Sequence, residues 1–75
     1  MAVMQHEKYV GQKIRFFRKR AGFTQDELAA KLQVNGCDLT RSALAKIEVG
    51  QRHIYIDELK HFKTVFNISY EELLD

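Results

Sequence analysis

The fold of this 75-residue chain is decided by residues 22–32, GFTQDELAAKL. Gly22 is the residue type that commonly follows the end of a helix, because glycine adopts the left-handed conformation readily. Thr24 and Glu27 have the spacing of a capping box, in which each side chain bonds to the other residue's backbone N–H. The stretch predicts that one helix ends before Gly22 and that a second begins sharply at Thr24 and ends near Leu32.

Helical periodicity continues on both sides of this stretch. Upstream, Val10, Ile14 and Phe17 recur at the spacing of one helix face. Downstream, the caps Thr40 and Ser69 each precede another apolar periodic segment. The predicted helices cover residues 7–21, 24–32, 41–49, 56–66 and a short segment after Ser69. No strand pattern or repeat is visible in the sequence, so it predicts an all-α, compact five-helix bundle.

Length and composition bound the domain count and the cellular location. A chain of 75 residues is enough for one domain, so we expect a single domain over 1–75, with residues 1–6 as a flexible N-terminal segment. The sequence lacks an apolar run of the roughly 18 residues that a membrane span needs. Its N-terminus also lacks the apolar stretch of a signal peptide. We therefore expect a cytoplasmic protein that does not contact the membrane.

The charge of the chain is unevenly distributed. Residues 1–53 carry ten Lys and Arg against five Asp and Glu, a balance of +5. Residues 54–75 carry two bases against five acids, a balance of −3. This asymmetry is compatible with a polyanion-binding face and an acidic remainder. Uneven charge is common in small domains, so this asymmetry alone does not indicate the function, and the sequence motifs are the stronger evidence.

The sequence contains no pattern typical of catalysis or metal binding. His6, His53 and His61 are scattered without metal-ligand spacing, and the single Cys37 excludes a disulfide framework and a cysteine-based zinc site. No glycine-rich phosphate loop is present, and a domain of this length has little room for a catalytic pocket. We expect no enzymatic activity, no metal, no cofactor and no small-molecule ligand.

Three blocks of the chain follow one another in a recognisable order. They are IRFFRKRAGFTQDELAAKL at 14–32, TRSALAKIEVGQR at 40–52 and FNISYEELL at 66–74. Together they resemble the phage-repressor (Cro/repressor, Xre-like) helix-turn-helix family over about residues 10–74. The resemblance implies a lambda-repressor-like bundle with the helix-turn-helix in helices 2 and 3. It also implies a sequence-specific, double-stranded DNA-binding regulator of transcription, with repression as the expected role.

The third helix reads base edges in this family, and the resemblance places its base-reading positions on Arg41, Ser42 and Lys46. Helical geometry agrees, because Leu44 and Ile47 must face the core and leave those residues outside. Arginine forks onto guanine O6 and N7, and lysine does so less rigidly. A solvated helix face is the alternative for these residues, and a phosphate contact is a further alternative for Lys46.

Phosphate contacts are expected on both sides of that helix. Thr24 and Gln25 open a helix whose free N–H groups and dipole attract phosphate, although Thr24 also serves as a cap. The resemblance places Arg52 and His53 where the family's loop meets the sugar-phosphate backbone, and an exposed loop is the alternative. The predicted DNA-binding residues are Thr24, Gln25, Arg41, Ser42, Ala45, Lys46, Arg52 and His53.

Arg18 and Glu48 have a structural role by the same resemblance. It implies an ion pair between the first and third helices, and both residues adjoin inward-facing neighbours in the periodic pattern. A buried pair is costly to break singly, so this one would fix the angle of the third helix.

Three features depart from the family's pattern. The connection 33–39 is several residues longer than the usual turn, and either Val34 or Leu39 can fill its apolar position. Val49 replaces the common Asn before Gly50 and so removes a phosphate donor. Phe16 lies outward on the first helix, where the family usually has a charged residue, and an interface anchor would have this appearance.

Specific regulation normally needs a dimer, with half-sites about 34 Å apart on one face of the duplex. The candidate dimer surfaces are Phe16 with the first helix, or the region of Tyr55, Phe62 and Tyr70. Two alternatives to a complete DNA-binding regulator remain. One is a protein-interaction or antitoxin-like module with the same fold, and the other is a piece of a longer regulator, since no sensor domain follows Asp75.

Overall fold

The protein is described here by a computed structural model that covers the backbone of residues 2–74 and the side chains of residues 8–74. The helices in this range are α1 (Ala2–Arg20), α2 (Gln25–Val34), α3 (Arg41–Glu48), α4 (Ile56–Phe66) and α5 (Tyr70–Leu74). No strand occurs between residues 2 and 74, so the prediction of an all-α, five-helix fold is confirmed. None of the described helices combines the length and the apolar character needed to cross a membrane.

Two helix boundaries differ from the prediction. α1 begins at Ala2 rather than near residue 7, because segment 2–8 lacks glycine and proline and consists mostly of good helix formers. The flexibility expected of residues 1–6 stays a prediction. α2 ends at Val34, beyond the predicted Leu32, since the left-handed residue that follows it is Gly36. The other boundaries lie within one residue of the predicted ones.

Side-chain caps begin α2, α3 and α5. The N–H of Glu27 donates to the hydroxyl of Thr24 at 3.1 Å, and the N–H of Thr24 donates to the Glu27 carboxylate at 2.8 Å. Ser69 and Glu72 form the same reciprocal pair at 3.1 and 2.9 Å. The hydroxyl of Thr40 accepts a 3.1 Å bond from the first turn of α3. The capping boxes read from the sequence are therefore confirmed.

α1 to α4 end in the same hydrogen-bonding arrangement. Gly22 has φ 81°, and the N–H of Phe23 donates to the carbonyl of Arg18 at 3.0 Å, as in a Schellman motif. At the end of α3, the N–H of Gln51 donates in the same way to Lys46 at 2.8 Å. The residues that take the left-handed conformation are Gly22, Gly36, Gly50 and Asn67. Local bonds thus define where each of these helices stops.

All five helices contribute to one hydrophobic core. Its fully buried large side chains are Ile14, Leu28, Leu32, Leu39, Leu44, Ile47, Phe62 and Leu73. Phe62 is 0% exposed and its ring centroid lies 6.1 Å from that of Phe66, on the inner face of α4. The inclusion of Phe62 among the dimer-surface candidates is therefore wrong.

The connection between α2 and α3 packs against the bundle. Leu39 is 2% exposed and Cys37 5%, whereas Val34 is 91% exposed, so Leu39 fills the apolar position that the sequence left open. Burial raises the pKa of the Cys37 thiol. Oδ1 of Asn35 lies 2.8 Å from Nδ1 of His61, and this contact ties the connection to α4.

α1 crosses the C-terminal end of α3 at very short range. A Cβ atom on Gly11 would lie 2.1 Å from the carbonyl oxygen of Ile47, and one on Gly50 would lie 2.9 Å from Cα of Lys8. A residue with a side chain at position 11 would force the two backbones apart. The position of α3 on the bundle therefore depends on Gly11, which the sequence analysis did not identify, although a glycine within a helical pattern is a signal of close packing.

Candidate nucleic-acid interface

A buried ion pair holds the C-terminal end of α3. Nε of Arg18 donates to Oε2 of Glu48 at 2.7 Å, and Nη2 donates to Oε1 at 3.0 Å. Arg18 is 8% exposed and Glu48 3%. The third nitrogen, Nη1, donates to the carbonyl of Phe23 at 2.9 Å. The structure brings together the two residues that the sequence placed as a pair, and it uses every nitrogen of the guanidinium.

Gln25 joins the same cluster. Its Nε2 donates to Oε1 of Glu48 at 3.2 Å, so one carboxylate binds a side chain from α1 and another from the N-terminus of α2. Within the described residues, no buried side-chain nitrogen or oxygen is left without a hydrogen-bond partner. The side chain of Gln25, which was expected to contact phosphate, therefore also links α2 to α3. This link was not predicted from the sequence.

The opposite face of α3 is open. Leu44 and Ile47 are fully buried, while Arg41, Ser42 and Lys46 are exposed. Ala45 lies between them and is half-buried. Because the helix has eight residues, these side chains lie within about 12 Å along its axis. The predicted base-reading residues therefore form one continuous surface.

The charge at the start of α3 differs from that of α2, α4 and α5. The first turns of α2, α4 and α5 each carry two acids, whereas the first turn of α3 carries none and begins with Arg41. A cation at a helix N-terminus is disfavoured by the helix dipole. The Nε of Arg41 lies 3.7 Å from Oδ1 of Asp26 in α2, and this is the single ion pair that the residue makes in the described range. The first turn of α3 is therefore complementary to an anion.

Arg52 occupies a different setting from the one expected. Its Nη1 and Nη2 donate to the two oxygens of Glu58 at 2.9 and 3.1 Å, and Nη1 also donates to the carbonyl of His53 at 2.8 Å. The hydrogen bonds that Arg52 donates to the Glu58 carboxylate raise the pKa of Arg52. Desolvation alone would raise the pKa of Glu58, but hydrogen bonds from Arg52 and from the backbone of Tyr55 hold it below its ordinary value. The pair shapes the loop between α3 and α4.

His53 is exposed beside Arg52, and its ring packs edge-on against Tyr55 at a centroid distance of 4.9 Å. Glu58, the partner of Arg52, is a functional residue that was not predicted from the sequence. The sequence contains only a weak indication of this pair, namely that the two residues lie six positions apart, one on each side of the start of α4.

Several large apolar side chains remain on the surface. Phe16 is 56% exposed, Tyr55 59% and Tyr70 41%, so both candidate dimer surfaces keep an exposed aromatic residue after the loss of Phe62. No group of three or more His, Cys, Asp or Glu side chains gathers as a metal site within the described residues.

Comparison with known proteins gives one result that covers most of the chain. A family model described as a helix-turn-helix domain matches residues 11–75. The matched range contains the whole of α2 and α3 and begins within α1. No curated protein and no solved structure matches the chain.

Proposed function

The chain belongs to the helix-turn-helix domain family, and from this membership we propose that it is a sequence-specific, double-stranded DNA-binding regulator of transcription that acts as a repressor. In this proposal α3 (Arg41–Glu48) enters the major groove and α2 lies across the phosphate backbone. The observation that carries it is the exposed surface of Arg41, Ser42 and Lys46 on a helix whose other face is fully buried.

The contacts that hold α3 against α1 and α2 support this role. Glu48 is tied to Arg18 of α1 and Gln25 of α2, so α3 cannot rotate without breaking a buried ion pair. Leaving one buried charge unpaired costs about 3–5 kcal/mol. The reading face is therefore ordered before DNA arrives, and binding loses little free energy to ordering it.

The N-terminus of α2 is the proposed phosphate contact. The capping box uses the N–H groups of Thr24 and Glu27, so the N–H groups of Gln25 and Asp26 point from the helix end outside the box. Together with the helix dipole they form the kind of site that binds phosphate oxygens. In this proposal the contact fixes the register of α3 on the duplex and carries no sequence information of its own.

The loop after α3 is the proposed second contact to the backbone. Because the guanidinium of Arg52 is already matched by Glu58, we assign Arg52 to the shape of this loop. His53 is the exposed residue beside it. The two positions predicted from the sequence thus take different roles in the proposal.

We further propose that the protein represses as a dimer, because specific regulation normally needs two copies of such a domain. One eight-residue helix spans only a few base pairs, and a homodimer would place two such helices about one helical turn of DNA apart, about 34 Å. The surface proposed for that contact is either Phe16 with the first helix or the region of Tyr55 and Tyr70, whose side chains are exposed.

The experiment that tests the proposal is selection of bound sequences from a pool of random duplexes, followed by binding at several salt concentrations. We expect a palindrome with half-sites one helical turn apart, and an affinity that falls steeply as salt rises, because phosphate contacts release counterions. A folded protein that binds no duplex at low salt would contradict the proposal. That outcome would favour the protein-interaction or antitoxin-like module instead.

A further inference from the structure

The first turns of α2 and α3 meet at a single pair of exposed side chains. Asp26 is the second residue of α2 and Arg41 is the first of α3. Nε of Arg41 lies 3.7 Å from Oδ1 of Asp26, with 65% and 77% of the two side chains exposed. The pair therefore lies on the face where α3 is proposed to meet DNA.

The guanidinium group of Arg41 makes fewer hydrogen bonds than those of Arg52 and Arg18. Arg52 gives both terminal nitrogens to a carboxylate, and Arg18 gives one to a carboxylate and the other to a carbonyl. Arg41 approaches Asp26 through Nε, and neither of its terminal nitrogens makes a hydrogen bond to any residue in the described part of the chain. Its Nη1 and Nη2 are thus available as a fork, while Nε faces the exposed Asp26 carboxylate at ion-pair distance rather than hydrogen-bond distance.

We propose that Asp26 is a positioning residue for base recognition: it holds Nε of Arg41 so that Nη1 and Nη2 face guanine O6 and N7. A guanidinium has five N–H donors in a rigid plane, so an anion beside Nε favours orientations in which the two terminal nitrogens point away from that anion. Guanine presents two acceptors at the spacing that this fork matches. The proposal rests on the proposed function, because it assumes that α3 lies in the major groove.

Asp26 has a second effect on the same interface. Its carboxylate lies at the N-terminus of α2, where phosphate is proposed to bind, and there it repels the DNA backbone. On random DNA, Arg41 has no guanine in register, so the repulsion is not offset. On the selected site, the oriented fork offsets it. Asp26 therefore increases specificity, because it opposes binding to random DNA and supports binding to the selected site.

The test compares Asp26→Asn with wild type on two duplexes: the sequence selected from the random pool and a random sequence of the same length. We expect D26N to weaken binding to the selected duplex about two- to fivefold, the range for an exposed ion pair. We expect it to strengthen binding to the random duplex about twofold, because it removes a charge that repels phosphate. Asp57→Asn is the matched control, an exposed acid in the first turn of α4, and should change neither affinity.

Arg41→Ala and the double variant complete the cycle. In the R41A background, D26N should no longer weaken binding to the selected duplex, while the gain on random DNA should persist. Equal strengthening on both duplexes would overturn the proposal, since Asp26 would then be only a repulsive charge. No change on either duplex would overturn it as well. Failure of the proposed function has a different outcome, because wild type would then select no sequence from the pool and would not bind the random duplex.

Discussion

Replacement of Gly11 by Ala tests whether the close crossing of α1 and α3 sets the stability of the bundle. Helix propensity alone predicts that G11A stabilises the protein by about 1 kcal/mol, because Ala is the best helix former. The structure predicts the opposite sign. The added Cβ would lie 2.1 Å from the carbonyl oxygen of Ile47, on the backbone of a neighbouring helix.

The size of the effect follows from this distance. Even weakly bonded carbon and oxygen atoms stay about 3.3 Å apart, so the helices must separate by roughly 1 Å. The same carbonyl accepts the N–H of Gly50 at 3.1 Å, so the displacement also disturbs the end of α3. Overpacking of an interior costs about 1–3 kcal/mol, and a clash between backbones belongs at the upper end of that range. After the propensity gain, we expect a net loss of about 1–2 kcal/mol.

Thermal and urea unfolding followed by circular dichroism measure this loss. For a domain of this size, each kcal/mol lowers Tm by about 4–8 °C. Gly22→Ala is the control, because a Cβ at that position meets no atom within 4 Å and only the positive φ of 81° is strained. G11A should also weaken DNA binding under conditions where the domain is folded, since it displaces α3, whereas G22A should not. A G11A protein that melts at or above the wild-type temperature would refute the reasoning.

Three further predictions concern the ion pair, the reading face and the carboxylates. Arg18→Ala should cost about 3–5 kcal/mol in urea unfolding, because Glu48 is left buried with only the Gln25 amide; a wild-type unfolding midpoint would show that the pair is unimportant. Arg41→Ala should cost about 1–3 kcal/mol on the selected duplex and little on random DNA, and equal losses in a competition assay would make Arg41 a phosphate contact. Acid should destabilise the fold, because hydrogen bonds from Thr24 lower the pKa of Glu27, and those from Arg52 and Tyr55 outweigh the desolvation of Glu58. The stabilisation that these two carboxylates give the fold is complete above the ordinary carboxyl pKa and is lost as pH falls through their lowered pKa values in the folded state. Glu58→Gln should therefore flatten the acid side of a plot of unfolding free energy against pH.

The features predicted from the sequence are those whose signal lies within a few residues. The box of Thr24 and Glu27 joins residues that are neighbours in the chain whatever the rest of the protein does. The choice between Val34 and Leu39 depends instead on how the connection meets α4, and both residues are apolar. The clearance at Gly11 likewise depends on where α3 crosses α1, which no local pattern specifies. Arg18 and Glu48 were paired only through the resemblance to a family.

Arg52 illustrates the limit for the candidate site. The sequence shows a cation just after α3, the proposed recognition helix, and a free cation at that place is expected to contact phosphate. The structure pairs its guanidinium with Glu58 at two points, so the position of the charge was predictable while its availability was not. Gln25 is similar, because its bond to Glu48 joins residues that are 23 positions apart. Contacts between distant residues decide which polar side chains remain for a ligand.

The shortness of α3 explains why its exposed residues, which are proposed to read DNA, can change without loss of the fold. An isolated helix of eight residues is not stable in water, so α3 owes its existence to caps and packing. Those contacts come from Thr40 at its start, Leu44 and Ile47 on its inner face and Glu48 at its end. Arg41, Ser42 and Lys46 take no part in them, and exposed substitutions usually alter stability by less than about 0.5 kcal/mol. If the proposed function is right, substitutions at these three positions alter which DNA sequence is bound while the bundle that presents them stays intact.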